Sequence, residues 1–306
     1  MSSKLITVFG ATGNQGGSVI KAILNDPTLS QEYKIRAVTR DVSKPSAQAL
    51  AAKGVEVVAA DLSSAASIAT AIAGAHTVFL VTNFWESLSG DVEITQGKAV
   101  TDASKAAGVQ HLVFSSLINV TEASEGKLTN INHFDSKAKV EEYIRNSGVP
   151  ASFVLPGLFM SNLFEWIKKN EDGGYTLALP ISPENGQIPL LDAGRDVGKF
   201  VAASIANYPK TLGSRIYAAT DYYTPSQVAA AFSEVIEKPA VAVQIPDELF
   251  KSFMPPGQEQ ELLENMKLLE DPGYYAGADL KESVSLLREK PITWKAFAEE
   301  NKAKWL

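Results

Sequence analysis

Short apolar runs alternate with longer segments of helical periodicity through the first half of the chain. The apolar runs are Lys4–Phe9, Lys34–Thr39, Val55–Ala59, Thr77–Thr82, Gln110–Ser115 and Ala151–Leu155. Most of them are almost continuously apolar, which is typical of strands buried on both faces of a parallel sheet. The helical segments between them are Gly16–Asn25, Ala47–Ala52, Ala65–Ala73 and Val92–Ala107. This pattern predicts an α/β protein with a Rossmann-type, doubly wound parallel sheet and right-handed crossovers.

The regular alternation weakens beyond residue 156. The helices predicted there are Arg195–Ala206, Pro225–Glu237, Gln258–Leu269 and Thr293–Ala303, with a strand near Ser214–Ala219. We therefore expect a Rossmann-type domain over residues 1–155 and a smaller mixed α/β portion over residues 156–306. No linker is long or polar enough to separate independent domains, so we expect the two parts to pack closely, and an interleaved arrangement stays open.

A glycine-rich turn directly follows the first predicted strand and opens the first predicted helix. We predict that Gly10 permits a tight turn, that Gly13 lets the backbone approach a pyrophosphate, and that Gly16 lets helix and strand pack closely. Free amides and the macrodipole at this helix N-terminus favour an anion. A dinucleotide site is therefore predicted, and a turn without a ligand is the alternative. The predicted cofactor contacts in this turn are Gly10, Thr12, Gly13, Asn14, Gln15 and Gly16.

The end of the second predicted strand determines which cofactor we expect. NAD-binding sites place Asp or Glu there, about twenty residues beyond the glycines, to hold the ribose hydroxyls. Here Arg40 offers a forked guanidinium for a 2′-phosphate, and Lys44 adds a second positive charge. We interpret Asp41 as a helix cap. A solvated strand-end residue is the alternative for Arg40, but beside the glycine loop it predicts NADP(H) rather than NAD(H).

Two further strand ends lie on the side of the predicted sheet where ligands bind. Asp61 and Leu62 close the third strand. The Asp61 carboxylate either accepts a hydrogen bond from the adenine amine or caps the next helix, with equal weight. Thr82, Asn83 and Phe84 follow the fourth strand and are predicted cofactor contacts. The aromatic residues there either line the nicotinamide side or cover the edge of the core.

Charge and composition narrow the possible functions. The 306 residues include 28 basic and 35 acidic side chains, a net charge of −7 with no run of Lys and Arg, so direct nucleic-acid binding is not expected. The absence of cysteine excludes disulfides and thiol redox sensing, and the three histidines are too far apart in sequence to indicate a local metal motif. No signal-peptide stretch or membrane-length apolar run occurs. We expect a cytoplasmic protein, and nuclear entry stays open.

Apolar residues at helical spacing mark the C-terminal portion. Leu262, Met266 and Leu269 form a stripe on an acidic predicted helix. We interpret the stripe as core packing, with a surface for a partner as the alternative. We also predict that Trp294, Phe297 and Trp305 dock the last helix onto the body of the protein.

Several short segments along the chain together carry a resemblance to a known family. They are residues 10–19, 38–40, 81–87, 96–98 and 133–137, and residues 140–144 and 148–150 continue it. Together they resemble the NmrA-like family of the atypical short-chain dehydrogenase/reductase superfamily, over nearly the whole chain and more loosely beyond residue 170. The closest resemblance is to the HSCARG type, regarded as NADPH sensors that change partners with the cellular redox state. It implies that Lys98, Lys137 and Pro156 also contact the cofactor.

The resemblance also identifies the residues on which catalysis would depend. Dehydrogenases of this superfamily carry a Tyr four residues before a Lys, and the Tyr transfers the substrate proton. Here His133 takes the place of the Tyr ahead of Lys137, on the same helical face. The ordinary pKa of histidine suits proton transfer, so His133 and Lys137 are the candidate catalytic pair, although the phenol is missing. Alternatively, Lys137 holds the nicotinamide ribose or pairs with Glu141 on a solvated helix face.

Two functions follow from these observations. The first is a regulatory protein that binds NADP(H) and reports redox state through its conformation or by exchanging a protein partner, such as a transcription factor or an enzyme. The second is an NADPH-dependent reductase of a quinone or another small carbonyl compound. A scaffold without a cofactor is a third possibility, which the intact glycine loop and Arg40 disfavour.

Overall fold

The structure is a computed structural model that describes residues 3–306. Its strands are β1 (Lys4–Val8), β2 (Tyr33–Thr39), β3 (Glu56–Ala59), β4 (Thr77–Leu80), β5 (His111–Ser115), β6 (Ala151–Pro156), β7 (Leu158–Phe159), β8 (Ile167–Lys169), β9 (Tyr175–Leu179), β10 (Ile188–Leu191), β11 (Arg215–Ala218), β12 (Asp221–Tyr223) and β13 (Ala240–Gln244). Its α-helices are α1 (Asn14–Asn25), α2 (Leu29–Glu32), α3 (Pro45–Ala51), α4 (Ala65–Ile72), α5 (Phe84–Ser87), α6 (Gly90–Ala106), α7 (Val120–Ala123), α8 (Asn132–Ser147), α9 (Leu163–Trp166), α10 (Val197–Ala206), α11 (Pro225–Ile236), α12 (Asp247–Ser252), α13 (Glu259–Lys267), α14 (Lys281–Ser285) and α15 (Trp294–Glu300).

Seven parallel strands form the central sheet, in the order β11-β6-β5-β4-β1-β2-β3. From β3 to β6 this is the order of a Rossmann sheet, in which the winding direction reverses between β1 and β4 and leaves a crevice at the carboxyl ends. Every residue of β4, β5 and β6 is buried, which explains why their segments are continuously apolar. The predicted α/β class with a doubly wound parallel sheet is confirmed.

Helix α10 packs against α1, the helix that follows the glycine turn. The two helices cross so closely that a Cβ on Gly198 would lie 2.1 Å from the carbonyl oxygen of Ser18. The Gly198 amide donates a hydrogen bond to Ser18 Oγ at 2.9 Å. Val19, Ile23 and Phe200 fill the core beside this crossing. The N-terminus of α1 is therefore anchored by a helix from far along the chain.

The second half of the chain interleaves with the first. It forms two three-stranded sheets, β12-β10-β7 and β13-β9-β8, but it also contributes β11 to the central sheet, where β11 pairs with β6. The last helix docks on α11, as predicted. Trp294 is fully buried and donates a hydrogen bond from Nε1 to the Val228 carbonyl oxygen at 3.0 Å, and its ring stacks on Phe297.

Several short elements are absent from the sequence-based expectations. They are mainly single-turn helices, such as α5 and α9, and the short strands of the two small sheets. Segments of two to five residues carry too little periodicity to reveal their structure, because tertiary contacts decide it. Strand β4 also ends at Leu80 rather than Thr82, so Thr82 lies just beyond the strand. In the described part of the chain, no helix is both long and apolar enough to cross a bilayer.

Candidate functional site

A cleft of about 940 Å³ opens at the carboxyl ends of the central strands. One wall is built from the glycine loop and the residues that follow β2, β3 and β4. The other comes from the second half of the chain, with Trp166, Phe250, Met254, Leu262 and Met266 among its lining residues. The Leu262–Met266 stripe therefore packs partly into the core and partly against this cleft.

The glycine loop has the backbone geometry that only glycine tolerates at two positions. Gly10 has a φ of +64°, and a Cβ there would approach Val81 Cγ1 to 2.7 Å. A Cβ on Gly16 would lie 2.3 Å from the carbonyl oxygen of Gly10, which is backbone and cannot move aside. Gly13 has more room, because its nearest such contact is 3.4 Å. The predicted roles of Gly10 in the turn and of Gly16 in close packing therefore agree with the geometry.

Free amide groups surround the start of α1. The helix begins at Asn14 behind Gly13, and no side chain caps it. The amide of Gly17 donates the first helical hydrogen bond, to the Gly13 carbonyl oxygen. Within residues 3–306, the amides of Thr12, Asn14 and Gln15 donate to no protein oxygen. The three residues line the cleft at the positive end of the helix dipole, which is an arrangement that fits a phosphate.

Arg40 lies at the cleft with its guanidinium already paired. Its side chain is 65% exposed, and Nη1 forms an ion pair with the carboxylate of Glu86 on α5. Lys44 lines the same region. Asp41 is not the helix cap that we predicted, because α3 starts after Lys44. Its carboxylate instead accepts hydrogen bonds from the Ser43 amide and hydroxyl, which lower the pKa of Asp41.

Asp61 lies at the cleft but does not cap helix α4. Ser64 is the residue that caps that helix, and its Oγ accepts from the Ser67 amide. The Asp61 carboxylate accepts a hydrogen bond from the Ser63 amide at 2.7 Å. The cap alternative for Asp61 was therefore wrong, and its exposed carboxylate keeps acceptor capacity on the cleft side.

Lys137 is buried in a polar network rather than exposed on a helix face. Its ammonium group pairs with Glu93, a residue of α6 that is 1% exposed. The same carboxylate accepts hydrogen bonds from Thr82 Oγ1 at 2.7 Å and from the Ser136 hydroxyl. Burial lowers the pKa of Lys137, against the opposing effect of Glu93. A buried ammonium needs such a partner, so this network fixes Lys137 at the cleft wall.

The predicted pairing of Lys137 with Glu141 is wrong. Glu141 is fully buried on the far side of α8, where its carboxylate binds Arg145 and Arg215 and accepts a hydrogen bond from Ser116. These three partners bind the Glu141 carboxylate away from the residues that line the cleft.

His133 lies beside Lys137 and is bound to the second half of the chain. Both its backbone amide and its ring Nδ1 contact Glu261 Oε1, at 2.9 and 2.6 Å. The ring packs against Trp85 and Phe84. Burial lowers the pKa of His133, although Glu261 opposes the shift. In the neutral ring the contact with Glu261 places the proton on Nδ1, which leaves Nε2 as an acceptor.

Tyr274 is the one tyrosine that lines this cleft among residues 3–306. Its hydroxyl lies 3.4 Å from the Pro156 carbonyl oxygen, and burial raises its pKa above the ordinary value of tyrosine. A dehydrogenase tyrosine needs a pKa nearer neutrality to exchange a proton readily. Burial thus favours the neutral phenol form of Tyr274.

The cleft brings together nearly all of the predicted site residues. Those that line it are Gly10, Thr12, Gly13, Asn14, Gln15, Gly16, Arg40, Lys44, Asp61, Leu62, Thr82, Asn83, Phe84, His133, Lys137 and Pro156. Lys98 does not, because its side chain is exposed on α6 and lies over the Tyr143 ring at 5.1 Å.

Sequence reasoning missed three carboxylates of the site: Glu86, Glu93 and Glu261. Each pairs with a predicted residue from which it is 44 or more positions distant in the chain. Only Glu93 leaves a local signal, since it is an acidic residue in the first turn of a predicted helix near the end of a strand. Among residues 3–306, no three His, Cys, Asp or Glu side chains are grouped to hold a metal ion.

The cleft fits a dinucleotide by its own geometry. An added Cβ at Gly10 or Gly16 would fill the space of the turn, and the unpaired amides at the start of α1 belong to residues that line the cleft. The volume of the cleft lies within the usual range for a cofactor pocket. A family model of NmrA-like proteins matches residues 2–299. The chain belongs to the NmrA-like family. This membership agrees with the resemblance of the residue segments, whereas the HSCARG type stays a prediction.

Members of the family with different functions resemble this chain. The NmrA-like family domain-containing oxidoreductase ptmS of Penicillium ochrochloron is 33% identical over 256 residues, 77% of this chain and 74% of that protein. The nitrogen metabolite repression protein nmrA of Emericella nidulans is 30% identical over 270 residues, 85% and 73% of the two. The NmrA-like family thus contains both oxidoreductases and a regulator.

Crystal structures of NmrA, a negative transcriptional regulator, share the fold of this chain. The complexes with NADP and with NAD each superpose with a TM-score of 0.83 at 25% identity, over 100% of this chain and 99% of the other. Structural relatives therefore bind NADP or NAD.

Proposed function

We propose that this NmrA-like protein binds NADP(H) and acts as a regulator that reports redox state through cofactor-dependent conformation or partner binding. The observation that carries the proposal is that a cradle of unpaired amides stands beside a helix in which His133 takes the place of the dehydrogenase tyrosine. The contact of His133 Nδ1 with Glu261 leaves Nε2 as an acceptor in the neutral ring, which burial favours.

The binding part of the proposal assigns a role to each group at the cleft. Amides at the start of α1 would hold the pyrophosphate, and Arg40 with Lys44 would bind the 2′-phosphate. Asp61 would accept from the adenine amine. Lys137, held by Glu93, would bind the nicotinamide ribose. The bound cofactor would supply hydride chemistry, and these side chains bind and orient it.

A conformational readout is supported by how the cleft is built. His133 on α8 is joined to Glu261 on α13, and the residues of α12 and α13 face the glycine loop across the cleft. A ligand that touches both walls changes the relative stability of their arrangements. The resemblance to nmrA of Emericella nidulans supports a protein partner as the receiver of this change.

A second candidate is an NADPH-dependent reductase of a quinone or another small carbonyl compound. It is favoured by His133 and Lys137 lining the same cleft as the apolar residues Trp166, Phe250 and Met254, which would accommodate a flat apolar substrate. The relationship to the oxidoreductase ptmS supports it as well.

One pair of measurements separates the two candidates. Calorimetric titration is expected to show NADPH binding at one site per chain. Loss of NADPH absorbance with a panel of quinones and aldehydes is expected to stay far below the roughly 1–10³ s⁻¹ of ordinary enzymes. Turnover of several per second that His133→Asn abolishes would establish the reductase instead.

The regulatory claim has its own measurement. Hydrogen exchange of α12 and α13 is expected to differ between the NADPH-bound and NADP⁺-bound protein, because these helices form the wall opposite the glycine loop. Identical exchange in the two states would rule out redox sensing through this wall.

A further inference from the structure

The ion pair between Arg40 and Glu86 spans the glycine loop. In the central sheet, β1 lies between β2 and β4, and the glycine loop starts at the carboxyl end of β1. Arg40 directly follows β2, whereas Glu86 lies on α5 beyond β4. Their contact therefore crosses from one neighbour of β1 to the other, over the mouth of the proposed phosphate cradle.

Glu86 is paired with the guanidinium of Arg40, the group that the proposed function assigns to the 2′-phosphate of the cofactor. Its carboxylate binds Nη1 of Arg40, and both side chains line the cleft. The 2′-phosphate distinguishes NADP(H) from NAD(H), and it would seek the same guanidinium. A phosphate at Arg40 would also bring a second negative group next to the Glu86 carboxylate. The two anions then compete for the guanidinium of Arg40, and Lys44 is a further positive charge in the lining of the cleft.

We propose that Glu86 is a cofactor-specificity residue that narrows the preference for NADP(H) over NAD(H). This inference rests on the proposed function. NAD(H) carries a hydroxyl at the 2′ position and leaves the Arg40–Glu86 pair intact. NADP(H) has to displace Glu86 from Arg40, so part of the gain from the phosphate contact is offset by the lost pair and by repulsion between the two anions.

The exposure of the pair sets the size of this effect. Arg40 is 65% exposed and Glu86 is 50% exposed, so water and salt screen their attraction. A charge-assisted contact to a phosphate is stronger than such a surface pair. NADP(H) therefore still displaces Glu86, and the carboxylate reduces the preference without reversing it.

The test is the affinity of Glu86→Gln for the two reduced cofactors, measured by calorimetry. We expect NADPH to bind about 3- to 10-fold more tightly than it binds the native chain, because an exposed ion pair and a nearby like charge have effects of this size. NADH should change less than about twofold. Glu234→Gln is the matched control, since it removes an exposed carboxylate that pairs with Lys295 away from the cleft, and it should change neither affinity.

A double-mutant cycle tests the mechanism. In an Arg40→Ala background, Glu86→Gln should change NADPH affinity by about twofold or less, because the cation for which the two anions compete is gone. Equal tightening of NADPH and NADH by Glu86→Gln would show a general gate and overturn the inference. An unchanged affinity, or the full effect without Arg40, would overturn it as well. Failure of the native chain to bind NADPH would instead refute the proposed function.

Discussion

At the scale of single residues, side chains that look exposed in the sequence acquire partners from distant elements. Lys137 has the spacing of a surface helix residue, yet it is buried against Glu93. Asp41 has the position of a helix cap, yet it closes a turn with Ser43. In both residues the chemical type was informative, but the partner depended on which element folds back to meet it.

Arg40→Ala is expected to weaken NADPH binding by about tenfold or more, since a charge-assisted bond contributes roughly 1.5–3 kcal/mol. NADH affinity should change little, because its ribose carries no 2′-phosphate. Calorimetric titration of both cofactors measures the two losses. Arg195→Ala is the control, since Arg195 forms an exposed pair with Glu300 outside the cleft. Equal losses for NADPH and NADH would show that Arg40 does not read the phosphate.

Glu93→Gln should lower the free energy of unfolding by about 3–5 kcal/mol, because it leaves the buried ammonium of Lys137 without its charged partner. Urea denaturation provides the measurement. The same change at Glu234, where the ion pair is exposed, should cost less than about 1 kcal/mol. Similar losses for the two variants would contradict a buried charged pair at the cleft wall.

At the scale of elements, the glycine loop depends on backbone contacts within α1 and the turn before it. Gly16 and Gly17 are neighbours in sequence but differ in surroundings. A Cβ on Gly16 would meet the Gly10 carbonyl oxygen at 2.3 Å, whereas one on Gly17 has its nearest contact at 3.5 Å. The two positions therefore provide a matched pair for testing the cradle.

Gly16→Ala is expected to destabilise the protein by about 1–3 kcal/mol and to weaken NADPH binding, because the loop must open to accept the methyl group. Gly17→Ala should be neutral or stabilising by about 0.5–1 kcal/mol, since alanine is the better helix residue. Urea unfolding and calorimetric titration of NADPH test both variants. A loop that tolerates alanine equally at the two positions would not have the close packing described here.

At the scale of the whole molecule, a buried histidine lies at the amino ends of the central strands, opposite the cleft. His111 begins β5 and is 1% exposed, and its Nε2 lies 2.7 Å from Ser152 Oγ. Burial lowers the pKa of His111 from 6.5 to about 4, and nearby His76 adds to the effect. The folded protein therefore keeps this ring neutral at pH values where an unfolded chain takes up a proton.

His111 is expected to make folding sensitive to acid. Because its folded pKa lies below its unfolded value, its contribution to stability is complete above pH 6.5 and is lost as the pH falls toward about 4, a change of about 3 kcal/mol. The free energy of unfolding, measured from pH 7 to pH 4.5, should fall more steeply in the native chain than in His111→Gln. Parallel pH profiles for the two proteins would contradict the buried neutral ring.

The large elements of this fold were predictable because their signals are local. Strands buried on both faces need continuous apolar residues, and the glycine loop needs residues without side chains at fixed spacing. The second half of the chain was harder, since β7–β10 are short and depend on pairing within the two small sheets. The Lys98 prediction was carried by family resemblance alone, and α6 places that side chain over Tyr143.

The sequence by itself determined the α/β class, the family and the glycine loop between the first strand and the first helix. Residue types at short spacing encode these features. Only the tertiary structure decided that Glu86, Glu93 and Glu261 meet Arg40, Lys137 and His133. Such pairs join elements that lie far apart in sequence, and electrostatic interaction depends on distance in space.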